Sequence, residues 1–283
     1  FPHRFWTITG RDVTQVDVGQ NDALHLMPFV WHSETGVVPS DVNPQVSVTR
    51  DGEQVVSGLN PWAMLSQNMG FHFGDNVELP QQGEYSVSVS VGEGSGRRTG
   101  SLAEAGSAEF EFTMDYQRSE LQEIPFNNVA DARQGTLGAV EPMEMEMLPI
   151  RRAPAVEDLP GTSHGTTESG DAVLAVQHLD DATRFGGDES QQYLAVAPRT
   201  PYNRFPLPLM SLSAALTRGG ETVFDDYLYE WLDPDLGVHY GALVDNIETG
   251  DELTISVDTP PQLSRHEGYE TAFRTMPDAT LTL

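Results

Sequence analysis

The sequence predicts an all-β protein made of two tandem sandwich domains, and three observations carry that expectation. Apolar residues recur in short alternating runs: "EYSVSVSV" (84–91), "AEFEFTM" (108–114), "ELTISVD" (252–258) and "ATLTL" (279–283). Runs of period two, bounded by Gly, Pro, Asn and Asp, set one strand face on a core and the other in water. Segments with helical periodicity are scarce, which leaves room for short helical turns only. The third observation is an internal repeat. "VTRDGEQV" (48–55) matches "LTRGGETV" (216–223), and "EYSVSV" (84–89) matches "ELTISV" (252–257), with Thr217 lying 168 residues after Thr49. Co-linear matches over that length mark a duplicated domain rather than two unrelated turns.

Each element follows in order. "LHLMPFVWH" (24–32) alternates as a strand, so His25 and Met27 share a face. "RDGEQ" and its counterpart "RGGET" carry hairpin-turn residues. "WAMLSQNMGFHFGDN" (62–76) places Met64 at a strand end and His72 in a loop bracketed by glycines, which permit positive φ. "GEGSG" (92–96) follows a strand but opens no helix, so it reads as a turn and not a phosphate loop. These elements fill a first domain, 1–118. Residues 119–169 have linker composition, and 155–169 are expected to be mobile.

Within the linker, "PMEMEMLPI" (142–150) is too apolar to be only a spacer. Met143, Met145 and Met147 would share one strand face, as core packing or as soft ligands. This strand either opens the second domain or packs on the first; the first is preferred as its partner. The second domain, 170–283, repeats "GFHFGDNVEL" (70–79) as "GVHYGALVDN" (237–246), with His239 lying 167 residues after His72.

Composition narrows the function classes. The net charge of −28 comes from 43 acids against 15 bases, and every base is Arg. A Lys-free acidic surface reads as halophilic, because dense carboxylates hold water and cations in high salt. It argues against nucleic acid as a partner, which calls for a basic footprint. With no Cys, thiolate metal sites and disulfides are excluded. No apolar run approaches a membrane span. The chain starts at Phe1 rather than Met, so an export signal or membrane anchor is expected in a preceding segment. Neither a nucleophile elbow nor a paired-acid arrangement points to an enzyme.

Imidazoles and thioethers without thiols suit copper, and imidazoles with carboxylates suit iron. The segments "MLSQNMGFHFGDNVELPQQGEYSVSVSV" and "LDPDLGVHYGALVDNIETGDELTISVDTPP", with "RHEG" (265–268) following, resemble periplasmic iron-trafficking proteins of high-affinity iron uptake. The resemblance implies two tandem Ig-like β-sandwich domains that bind copper or iron ions and serve a membrane iron permease. Carried over, it implies a metal site of His25, Met64 and His72, with Met27 where the family has a Glu and Arg98 where it has its last His. The second copy keeps His239 and His266. Tyr193, Ala195 and Leu232 replace its other ligands, so it reads as degenerate. The weaker candidates are therefore His239, His266, Met143, Met145 and Met147, and His239 reads equally as a residue that stabilises its loop.

The expected function is an extracytoplasmic, cell-surface or membrane-anchored metal carrier that hands its ion to an iron permease or other transporter component. A second copy of the chain is a further candidate partner. The alternative is a tandem Ig-like adhesion or assembly module without a metal site. Ion binding is expected to weaken as pH falls through about 6.5, where imidazole protonates.

Overall fold

A computed structural model describes residues 1–121, 123, 129–144 and 152–283, and the chain is nearly all β. The first half carries β1 (Phe5–Thr9), β2 (Asp12–Val16), β3 (Asp22–Leu26), β4 (Gln45–Arg50), β5 (Glu53–Leu59), β6 (Trp62–Ser66), β7 (Gly70–Glu78), β8 (Gly83–Val91), β9 (Arg97–Arg98) and β10 (Ala108–Tyr116). The second carries β11 (Thr162–Ser169), β12 (Ala172–Leu179), β13 (Gln192–Arg199), β14 (Ser211–Arg218), β15 (Glu221–Asp233), β16 (Gly237–Val244), β17 (Glu252–Thr259), β18 (Ser264–Arg265) and β19 (Ala279–Thr282). Among the described residues, helical structure is limited to single turns such as Arg118–Leu121.

Alternation does what period two requires. On β8, Tyr85, Val87, Val89 and Val91 are buried, and on β17 so are Leu253, Ile255 and Val257. Each such side chain contributes roughly 1.5–3 kcal/mol relative to exposure. Both hairpins of the repeat turn through two central residues of positive φ: Asp51 and Gly52 in one, Gly219 and Gly220 in the other. That is the type I′ geometry that matches the natural twist of the flanking strands.

The two halves share one strand order. A four-stranded sheet, β10-β8-β4-β5, corresponds to β19-β17-β14-β15, while β6-β7-β3 corresponds to the end of β15 followed by β16 and β13. Strand β15 pairs with β14 through Leu228 and with β16 from Tyr229, so it runs continuously from one sheet into the other. In the first half the same path is split into β5 and β6 around Asn60 and Pro61, because proline has no N–H to give a ladder.

The halves also interlock. β18 leaves its own half and lies between β1 and β6, parallel to β6, with Ser264 opposite Met64 and Arg265 opposite Leu65. β9 makes the reciprocal move, lying parallel to β15 with Arg97 opposite Trp231 and Arg98 opposite Leu232. The main buried cluster spans both halves, from Leu65, Phe73 and Tyr85 to Leu212, Tyr240 and Ile255.

One boundary needs correction. Residues 162–169, expected as linker, form β11, paired along β12. Their polar Thr and Ser residues suit an edge strand with one side in water, which composition alone reads as a spacer. Met143 lies outside any strand, its backbone N–H donating to Asn68 O at 2.8 Å. Met145 and Met147 lie outside the described residues.

Candidate metal centre

The centre begins with one face of β7. Phe71, Phe73 and Val77 point into the core, so Gly70, His72, Gly74 and Asn76 line the opposite face. His72 therefore stands within a strand and not in a loop. Its neighbours across the ladders are Met64 on β6, opposite His72, and His25 on β3, opposite Asn76. His266, next to β18, arrives on this face from the other half, its N–H reaching Leu65 O at 3.4 Å. His3, just before β1, completes the group.

The imidazoles form a connected cluster. His266 Nε2 lies 3.0 Å from His72 Nε2, and His266 Nδ1 lies 3.1 Å from His3 Nε2. Ligating nitrogens of His3, His25 and His266 all fall within 4.8 Å of one another. Two nitrogens bound tetrahedrally to one ion at about 2.0–2.1 Å would be separated by about 3.3 Å, close to the two shortest spacings here. Gly74 leaves the space: a Cβ there would lie 2.6 Å from His25 Nε2 and 3.0 Å from Met64 Sδ.

Proton positions follow from the outer partners. His72 Nδ1 faces Gly70 O at 3.0 Å, His3 Nδ1 faces Phe1 O at 3.1 Å, and His25 Nδ1 faces Asn76 Oδ1 at 2.8 Å. Asn76 Nδ2 donates to His3 O, which fixes its Oδ1 as the acceptor. Each of these three rings thus carries its proton on Nδ1 and turns a lone pair on Nε2 inward. Burial holds all four rings neutral: it lowers the His3 and His72 pKa values to about 4 and that of His25 to about 2, and it pushes His266 well down. Neutral His266 has one N–H to offer, so lone pairs outnumber protons in the cluster. His25 Nε2 is buried without a hydrogen-bond partner. The carboxylate of Glu267 lies 3.5 Å from His266 Nδ1. The donor set of imidazoles with one thioether suits copper.

Met27 is not part of this centre. It is 40 % exposed and lines an apolar cavity of about 720 Å³ with Phe29, Trp31, Phe110 and Phe112. β3 ends at Leu26 ahead of Pro28, so the alternation that would keep residues 25 and 27 on one face stops there. Asn76 and His3 were not anticipated. Counting by twos from His72 finds Asn76, whereas nothing in the sequence joins His3 to the others.

The second half fills the corresponding place. His239 Nδ1 faces Gly237 O at 3.1 Å and its Nε2 meets Tyr193 Oη at 3.0 Å, so both ring nitrogens are satisfied. Phe185 stacks on Tyr193 at 3.7 Å and meets Trp231 edge-on. The ladder sets Trp231 opposite His239, as Met64 is set opposite His72. Trp231, not Leu232, is therefore the counterpart of Met64. By the same register Thr99, not Arg98, is the counterpart of His266: Thr99 N–H donates to Leu232 O at 3.1 Å. Thr99 Oγ1 bonds the buried Asp233 instead of a ring.

Residues 157–282 match one family. It is described as a domain of unknown function, DUF7350. The match covers β11 to β19, less than half of the chain, and takes in His239 and His266 but not His3, His25, Met64 or His72. None of the curated proteins matches the chain.

Proposed function

We propose that the chain binds a copper or iron ion at His3, His25, His72, His266 and Met64 and carries it outside the cytoplasm to a membrane transporter. The ion is cargo, and the protein makes no covalent change in it. The observation that carries this reading is the surplus of inward lone pairs among four neutral, buried imidazoles, which a bound cation would satisfy. Copper is favoured over iron, because one carboxylate stands beside the cluster and a thioether lies within it. In this reading the units are Ig-like sandwiches, and the second is a structural copy that contributes one ligand.

Titration of the metal-free chain with Cu(I) against a chromophoric competitor, and with Cu(II) followed by electron paramagnetic resonance, tests it. One tight equivalent of Cu(I) is expected per chain. His72→Ala and His266→Ala should each weaken it by more than the 10–100-fold typical of outer-shell changes, while His239→Ala should leave it intact. Met64→Leu should weaken Cu(I) more than Cu(II). Absence in the folded chain of a site that His72→Ala and His266→Ala weaken would return the protein to the adhesion reading.

A further inference from the structure

Two histidines outside the centre meet across the hairpin of β11 and β12. The register pairs Thr162 with His178 and Ser163 with Gln177, then jumps to Gly165 opposite Val176. His164 is therefore the extra residue of a β-bulge, a device that re-aims a side chain. Gly165 accommodates the bulge at φ 88, where a side chain would be strained. As a result His164 Nε2 and His178 Nδ1 share a 2.7 Å hydrogen bond, with the rings tilted by 33°, and an ion held by both nitrogens would take the place of its proton.

The geometry points to a second ion site here, taking a borderline divalent cation of the Cu(II) or Ni(II) class. An ion about 2.0–2.1 Å from both nitrogens would subtend roughly 80° between them. That is near the right angle of tetragonal and octahedral shells and well short of the tetrahedral angle that zinc prefers. A carboxylate also stands on the outer side of His178. Asp180 Oδ1 lies 3.6 Å from His178 Nε2 and accepts a 2.7 Å bond from Gln192 Nε2. An ion bound at Nδ1 would leave the proton on Nε2, on the side of that carboxylate. β11 is the outermost strand of its sheet and both rings are partly exposed, so water would complete the shell and the ion would exchange freely. The site shares no residue with the buried centre and does not depend on it.

The test counts Cu(II) in the wild-type chain and in His164→Gln and His178→Gln. The expected result is one equivalent fewer in each variant, whatever the centre holds, with loss of a tetragonal signal split by two nitrogens. Equal stoichiometry in all three proteins would overturn the site. Should a variant fail to fold, substoichiometric Cu(II) added to the wild type gives the second measurement. It should broaden the His164 and His178 ring resonances first among the exposed histidines, and unbroadened signals would overturn the proposal as well.

Discussion

Gly74 is the residue on which the centre's room depends. Its φ is not in the left-handed region, so alanine fits the backbone, but a Cβ would press on His25 and Met64. Gly74→Ala should cost about 1–3 kcal/mol of stability, as overpacking does, and should remove tight ion binding while the fold survives. Paired thermal melts and copper titrations check this, and unchanged affinity would place the ion elsewhere. The buried rings also set a pH dependence. Their folded pKa values lie below the free value near 6.5, so the unfolded chain takes up protons first as pH falls. Stability of the metal-free protein should therefore be full above about 6.5 and decline towards 4, as chemical denaturation at several pH values would show. For the same reason ion binding should persist below the pH at which free imidazole protonates. His25, Met64 and His72 were legible as a group through the family resemblance alone; strand parity joins His25 to Met27, and β3 stops at Leu26 before that parity applies. His3 was not, since a ligand 263 residues from its partner leaves no spacing to read.

At the scale of elements, the alternating runs were readable because each strand obeys a local period. β10 shows the limit. Its Phe110 and Phe112 alternate like core residues but are 47 % and 57 % exposed. They lie on the edge of the four-stranded sheet, and among the described residues the first half has no counterpart of β11 and β12 beyond β3. The exchange of β9 and β18 was equally hidden, since two-residue strands carry no period and their partners lie in the other half. It has a measurable result. A chain cut at a protease site placed within 145–151 should stay in one particle on size exclusion without denaturant, because each fragment has a strand seated in the other. Separation of the fragments in dilute buffer would contradict the interlocked pairing.

For the whole molecule, charge is the largest influence that composition exposes. With a net charge of −28 and no Lys, repulsion among carboxylates should weaken the fold at low ionic strength and relax as salt screens it. The melting temperature should climb between dilute buffer and molar KCl; a flat profile would count against the halophilic reading. The reach of β18 has a further consequence, in time. His3 is synthesised 263 residues ahead of His266, and the centre needs both. At about 5–20 residues per second, on the order of ten to fifty seconds separate them on the ribosome. Until His266 has emerged, the nascent chain has no complete cage to offer an ion. If the centre takes an ion as proposed, the compartment in which β18 takes its place decides which metals can reach it first.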